Sequence, residues 1–307
     1  LIEFTLEADY RRLQGDRTQD SEERPAVLRL IDDEGAARAI DIDVRTRGNF
    51  RLGYCRFPPL RVDLPSTRLG GTVFDGQNRL KLVSHCQDRD SDEQNLVEEY
   101  LVYRTYNLLT DESFRVRLAR VTYVDSEAND EPVIRHAFFI EEAEAMAERL
   151  AGLYMEIAQA SPRDFGAEQS VRLAVFQYMM GNTDWSMAGF HNSEVVRMPN
   201  GVHVPVPYDF DWTGFVAARY ARPDERLGLR SVRQRLYRGF CRPNFAFFTV
   251  YAQFARRRSD IEALYAGQEG LDADNRREAV EYIDGFYEDI ETPARARDRL
   301  EDACRDM

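Results

Sequence analysis

The chain has 307 residues, 43% hydrophobic and 31% charged, and carries a formal charge of −13 from 54 acidic and 41 basic side chains. It is long enough for a large core, in one two-lobed unit or two domains. The charge argues against the phosphate backbone of nucleic acid or an anionic membrane surface as a partner, and no uncharged apolar run is long enough to make a membrane span.

The sequence starts at Leu1 without a Met or a secretory apolar segment, as after removal of a leader or a preceding segment. An extracytoplasmic location, periplasmic or secreted, is favoured over the cytoplasm. Cys55, Cys86, Cys241 and Cys304 are too scattered for a disulfide scaffold or a zinc knuckle. Cys55 and Cys86 flank one strand-rich region, and either pair outside the cytoplasm or stay as thiols.

In chain order, residues 1–15 alternate (Ile2, Phe4, Leu6 against Glu3, Thr5, Glu7) and predict a strand, then a turn or short helix. Residues 17–25 read as polar linker, and residues 27–44 as a hairpin turning at Asp32 to Gly35. Arg45-Thr46-Arg47-Gly48-Asn49-Phe50 follows. Gly48 lets backbone amides approach a ligand, and Arg47 or Arg51 can contact phosphate; the alternative is an ordinary hairpin with solvent-facing arginines.

Lys81 is the only lysine in the chain, on a predicted strand over 78–83 whose other face carries Leu80 and Leu82. A compact ammonium is the one thing Arg cannot supply. The next apolar periodicity predicts a helix over 93–109, with Glu98 and Glu99 at the edges of its stripe. Either can pair with Lys81, as the strand lysine and helix glutamate of kinases do, and Glu99 is the preferred partner. Strands over 115–124 and 133–140 and helices over 141–150 and 168–180 complete the first part.

The stretch from Gly181 to Asp211 puts Asp184, Asn192, Asp209 and Asp211 on two loops joined by a short hairpin. A carboxylate, an Asn and a second carboxylate pair is what phosphoryl transfer needs: a base for the attacking hydroxyl and hard oxygens for magnesium. Asn, Asp and Gly also form plain turns, which is the alternative. Residues 223–290 read as helical with a dense aromatic supply, and the arginines from Arg230 to Arg242 as a solvated helical face. Residues 291–307 read as a frayed helix.

Strands, one inserted helix, an Asp loop, a hairpin and Asp-Phe-Asp form the order of protein kinases. The expectation is an α+β, two-lobed protein-kinase-like fold. Residues 1–141 make a β-rich nucleotide-binding lobe, and residues 142–307 a helical lobe with the catalytic and metal loops. Val206-Pro207-Tyr208-Asp209-Phe210-Asp211 and Arg47-Gly48-Asn49 resemble segments of the CotH spore-coat kinase family, and Gly181-Asn182-Thr183-Asp184 is similar to the catalytic loop of HipA-type serine kinases.

The resemblance implies Asp184 as base, Asn192 and Asp209 as magnesium ligands and Asp211 as a supporting or second-metal carboxylate. The long spacing from Asp184 to Asn192 keeps His191 and Asn182 as alternatives to Asn192. The CotH pattern has a lysine where this chain has Asp63, which leaves Lys81 for the nucleotide. The expected function is an ATP- and Mg-dependent phosphotransferase acting on a protein or small-molecule hydroxyl. The alternatives are a nucleotide-binding pseudokinase, a hydrolase using two of the aspartates, and a non-enzymatic envelope or surface protein.

Overall fold

Alternation of apolar and polar side chains, extended over seven segments, drives the first half of the chain to bury one face of every strand in a common interior. The computed structural model describes residues 1–156 and 161–307. It divides into two compact units, one of residues 1–100 and 115–142, the other of residues 101–114 and 143–307.

The first unit contains β1 (Ile2–Ala8), α1 (Tyr10–Gly15), β2 (Arg24–Ile31), β3 (Ala37–Thr46), α2 (Phe50–Tyr54), β4 (Leu60–Asp63), β5 (Arg79–Ser84), the first half of α3 (Asp90–Leu109), β6 (Val116–Asp125) and β7 (Val133–Ile140). The strands close into a barrel in the order β1-β2-β3-β4-β5-β7-β6. Six contacts around it are antiparallel, and closure is the parallel pairing of β1 with β6, Ile2 opposite Ala119 through Ala8 opposite Asp125. Inward residues such as Leu6, Leu28, Ile40, Val44, Leu82 and Val121 are buried. Burying each large one contributes roughly 1.5–3 kcal/mol. Phe4, Phe74 and Phe139 fill the interior with ring centroids 5.3 to 6.1 Å apart.

This overturns the two-lobed protein-kinase-like fold expected from the element order. The first half is a closed seven-stranded barrel rather than a kinase sheet lobe. The order of elements was readable because it rests on local periodicity. The β1–β6 pairing joins segments more than a hundred residues apart, and alternation alone does not name a strand's partner.

The second unit contains the other half of α3, then α4 (Ala143–Arg149), β8 (Leu153–Tyr154), α5 (Ala167–Met179), β9 (Ser193–Arg197), β10 (His203–Pro207), α6 (Asn244–Ala266), α7 (Ala273–Asp289) and α8 (Pro293–Ala296). β10, β9 and β8 form a small sheet in that order. From Val171 onward α5 is buried on almost every side apart from Arg172, and its Phe176 packs on Tyr106 and Phe210 at 4.6 and 5.7 Å.

Two further expectations change here. Residues 229–243 are not helical, and while Arg230 and Arg233 are exposed, the other three arginines of the series are turned to distant carbonyls. Arg235 donates to the carbonyls of Met179 and Tyr282, Arg238 to Thr183 and Arg242 to Pro162. A guanidinium presents five donors, so a loop without its own backbone ladder uses arginine to satisfy distant carbonyls. The chain end is likewise held, by a Cys241–Cys304 disulfide and by the backbone bond from Cys241 to Arg305.

Candidate functional site: a cationic rung and an aspartate hairpin

The register of the barrel sets three cations in a row. Arg45 on β3 lies opposite Arg61 on β4, and Arg61 opposite Lys81 on β5. Their chain neighbours Val44, Val62, Leu80 and Leu82 are buried in the core, so period-2 alternation turns all three cations to the outer face. Together with Gln19, Arg47, Gly48 and Asn49 they line a cavity of about 290 Å³.

Glu142 serves two members of the row, 3.2 Å from the Lys81 ammonium and 3.4 Å from the Arg61 guanidinium. Arg45 donates to the Gln19 carbonyl at 3.0 Å, and the Arg47 backbone amide to Pro59 at 2.9 Å. Among the described residues no carboxylate pairs with Arg45 or Arg47. Gly48 has φ +105°, a conformation L side chains avoid, and this turns the loop back toward the row.

Like charges directly opposite on neighbouring strands destabilise a sheet by on the order of 0.5 kcal/mol a pair. The pairs Arg45–Arg61 and Arg61–Lys81 therefore hold repulsion that a bound polyanion would relieve. The sequence picked out Lys81, Arg47 and Gly48, and the barrel brings them together. Arg45 and Arg61 were missed because their neighbourhood depends on strand register.

Glu99 is buried, and the guanidinium of Arg51 lies 2.6 Å from it. One carboxylate at Lys81 is Glu142; sequence reasoning preferred Glu99. A signal existed: Ile140 lies opposite Lys81, and residue 142 is the next to point to the same side. It becomes legible only once β5 and β7 are known to pair.

In the second unit, the β9–β10 hairpin begins at Ser193 and ends at Pro207, which are opposite each other. The next residue on each side continues the pairing, Tyr208 N–H donating to the Asn192 carbonyl at 3.2 Å. Asn192 is therefore opposite Tyr208, and Asp209 is the next residue out from the hairpin base. Both hold left-handed backbone, φ +51° and +60°, which Asn and Asp tolerate better than most residues. The Asp209 amide donates to the Tyr103 hydroxyl at 2.9 Å, and the Tyr220 hydroxyl donates to Asp211 at 2.8 Å.

Asp184 joins this group through Asn192, whose amide nitrogen donates to the Asp184 carbonyl at 2.7 Å and its carboxylate at 3.1 Å. His191 Nε2 lies 2.8 Å from the other carboxylate oxygen, and the Asp184 amide donates to the Asn182 side chain at 2.8 Å. Arg238 pins the preceding carbonyl, that of Thr183. Burial lowers the Arg238 pKa while the field of Asp184 opposes that shift. The Asp184 carboxylate is thus oriented from two sides, by His191 and Asn192, yet keeps 41% side-chain exposure, which leaves it accessible.

Asn192, Asp209 and Asp211 offer the hard oxygens magnesium accepts. Among the described residues no group of three or more His, Cys, Asp or Glu side chains is placed to hold a metal. A comparison with protein-family models and one with curated proteins each found no match.

Proposed function

We propose that the protein is an ATP- and magnesium-dependent phosphotransferase acting on a hydroxyl acceptor. The single observation that carries the reading is the rung of Arg45, Arg61 and Lys81 around one cavity with Arg47, in a chain whose net charge is −13. A positive cavity retained against an acidic background has phosphate as its natural occupant, since Arg and Lys supply charge-assisted bonds to phosphoryl oxygens.

The aspartate hairpin supplies the chemical half of the reading. Asp184 is the base that takes the proton from the acceptor hydroxyl. His191 and Asn192 hold its two oxygens, which leaves the carboxylate in one orientation before the acceptor arrives. Asn192 and Asp209, with Asp211 in support, are the residues that would hold magnesium, whose contribution is to neutralise phosphate charge. The Arg47 and Lys81 donors orient the phosphates.

The test is transfer of label from γ-labelled ATP by the intact chain, with and without magnesium, to itself and to generic protein acceptors. Asp184→Asn is expected to lower transfer by roughly 10²–10⁴-fold with nucleotide affinity unchanged. Lys81→Ala is expected to weaken affinity and transfer together. Absence of magnesium-dependent ATP binding in the intact chain removes the proposal.

A further inference from the structure

We infer that the rung cavity recognises condensed phosphate itself and does not read the base of a nucleotide. The inference rests on the phosphate assignment above and narrows it to a ligand class. Three features of the cavity carry it.

The first is its lining. Gln19, Arg45, Arg47, Gly48, Asn49, Arg61 and Lys81 include no aromatic and no large apolar side chain. A purine is held by stacking and apolar contact, and sites for organic ligands are lined mostly by such groups. The second is its size. A volume of about 290 Å³ lies at the bottom of the range of about 300–1,000 Å³ usual for drug-sized molecules, so the space suits a phosphate chain rather than a whole nucleotide.

The third is its shape. Neighbouring strands lie about 4.8 Å apart, so the outer members of a three-strand row are separated by roughly 10 Å. A single orthophosphate meets one or two cations on such a row. A chain of linked phosphoryl groups meets Arg45, Arg61 and Lys81 together and discharges the whole repulsion. Glu142, itself only 13% exposed, reaches both Lys81 and Arg61 from one side of the row.

Isothermal titration and thermal shift on the full chain, with ATP, GTP, CTP, inorganic tripolyphosphate, orthophosphate and adenosine as probes, test this. The expected result is that the three triphosphates and tripolyphosphate bind within about threefold of one another. Orthophosphate is at least tenfold weaker, and adenosine gives no signal. Arg61→Ser is expected to weaken tripolyphosphate and ATP by the same factor. In the absence of ligand it should leave the melting temperature equal or higher, because it removes an opposed charge.

ATP binding more than tenfold tighter than GTP and tripolyphosphate overturns the inference, since the base is then read, while leaving the phosphotransferase proposal standing. Binding of phosphate compounds that survives both Arg61→Ser and Lys81→Ser removes the cavity as the site and defeats the inference. Failure of every phosphate compound to bind defeats both.

Discussion

At the scale of single residues, the sharpest energetic anomaly lies in neither set. His85 follows β5, is fully buried, and has neither ring nitrogen hydrogen-bonded among the described residues. Its ring packs 4.5 Å from Phe57 and 5.3 Å from Tyr123. Burial pulls its pKa from 6.5 to about 4; Asp88 and Glu93 favour the proton, Arg135 and Arg56 oppose it, and burial outweighs them all. The unfolded chain therefore binds a proton between pH 6.5 and 4 that the folded one refuses. Stability is complete above pH 6.5 and falls with acidity, by about 1.4 kcal/mol per pH unit and roughly 3 kcal/mol in all. Glu93 acts in a lower window: burial penalises its charge, yet bonds from His136 and the charge of Arg135 bring it from 4.5 to about 2. Its contribution is present above pH 4.5 and lost toward pH 2. Urea unfolding at pH 7 and pH 5 separates the two: His85→Phe is expected to flatten the loss over that interval and leave the collapse below pH 4 in place. An unchanged slope in the variant would show that His85 is not the group responsible.

At the scale of elements, Gly181 and the hairpin base decide how the aspartates are presented. Gly181 has φ +61°, and a Cβ there meets the Tyr282 hydroxyl and comes within 3.3 Å of the Gly214 Cα. Left-handed backbone and overpacking act together, so Gly181→Ala is expected to cost roughly 2–4 kcal/mol in denaturant unfolding. A cost under 1 kcal/mol would mean the turn is not held as described. Asp209 gives the opposite contrast. Asp209→Gly keeps the backbone and deletes the carboxylate, so it should retain stability while losing magnesium-dependent transfer; Asp209→Ala should cost about 1 kcal/mol more through its φ. These turns show what was legible in the sequence. Gly181, Asp184, Asn192 and Asp209 announce themselves because turn residues and carboxylates bound a short hairpin. The strands of the barrel were readable from alternation as well. Arg45, Arg61 and Glu142 were not, because each matters only through the strand it lies beside. Arg235, Arg238 and Arg242 were misread because their spacing resembles a helix, while tertiary carbonyls set their use.

At the scale of the whole molecule, the two disulfides divide the task of restraint. Cys55–Cys86 lies within the first unit, bridging the end of α2 to the residues after β5, and Cys241–Cys304 within the second. Such bonds persist in oxidising compartments, which is the setting they favour. Their sequence separations are 31 and 63 residues, and chain-entropy reasoning gives each about 4 kcal/mol against the unfolded state. On stability alone the two are near equivalents, and ligand binding tells them apart. The Arg47-Gly48-Asn49 turn runs directly into α2, whose C-terminal cap is Cys55, and Lys81 is on the strand that leads to Cys86. The first bond therefore ties together the two chain segments whose cations share the cavity. Replacing Cys55 and Cys86 by Ser is expected to lower stability by about 3–4 kcal/mol and to weaken tripolyphosphate binding severalfold even where the variant remains folded. The corresponding replacement of Cys241 and Cys304 is expected to match the stability loss and leave tripolyphosphate affinity unchanged. Titration of both variants at a temperature where circular dichroism shows them folded makes the comparison. Equal losses of affinity would mean that the cavity answers to global stability and not to the bond beside it.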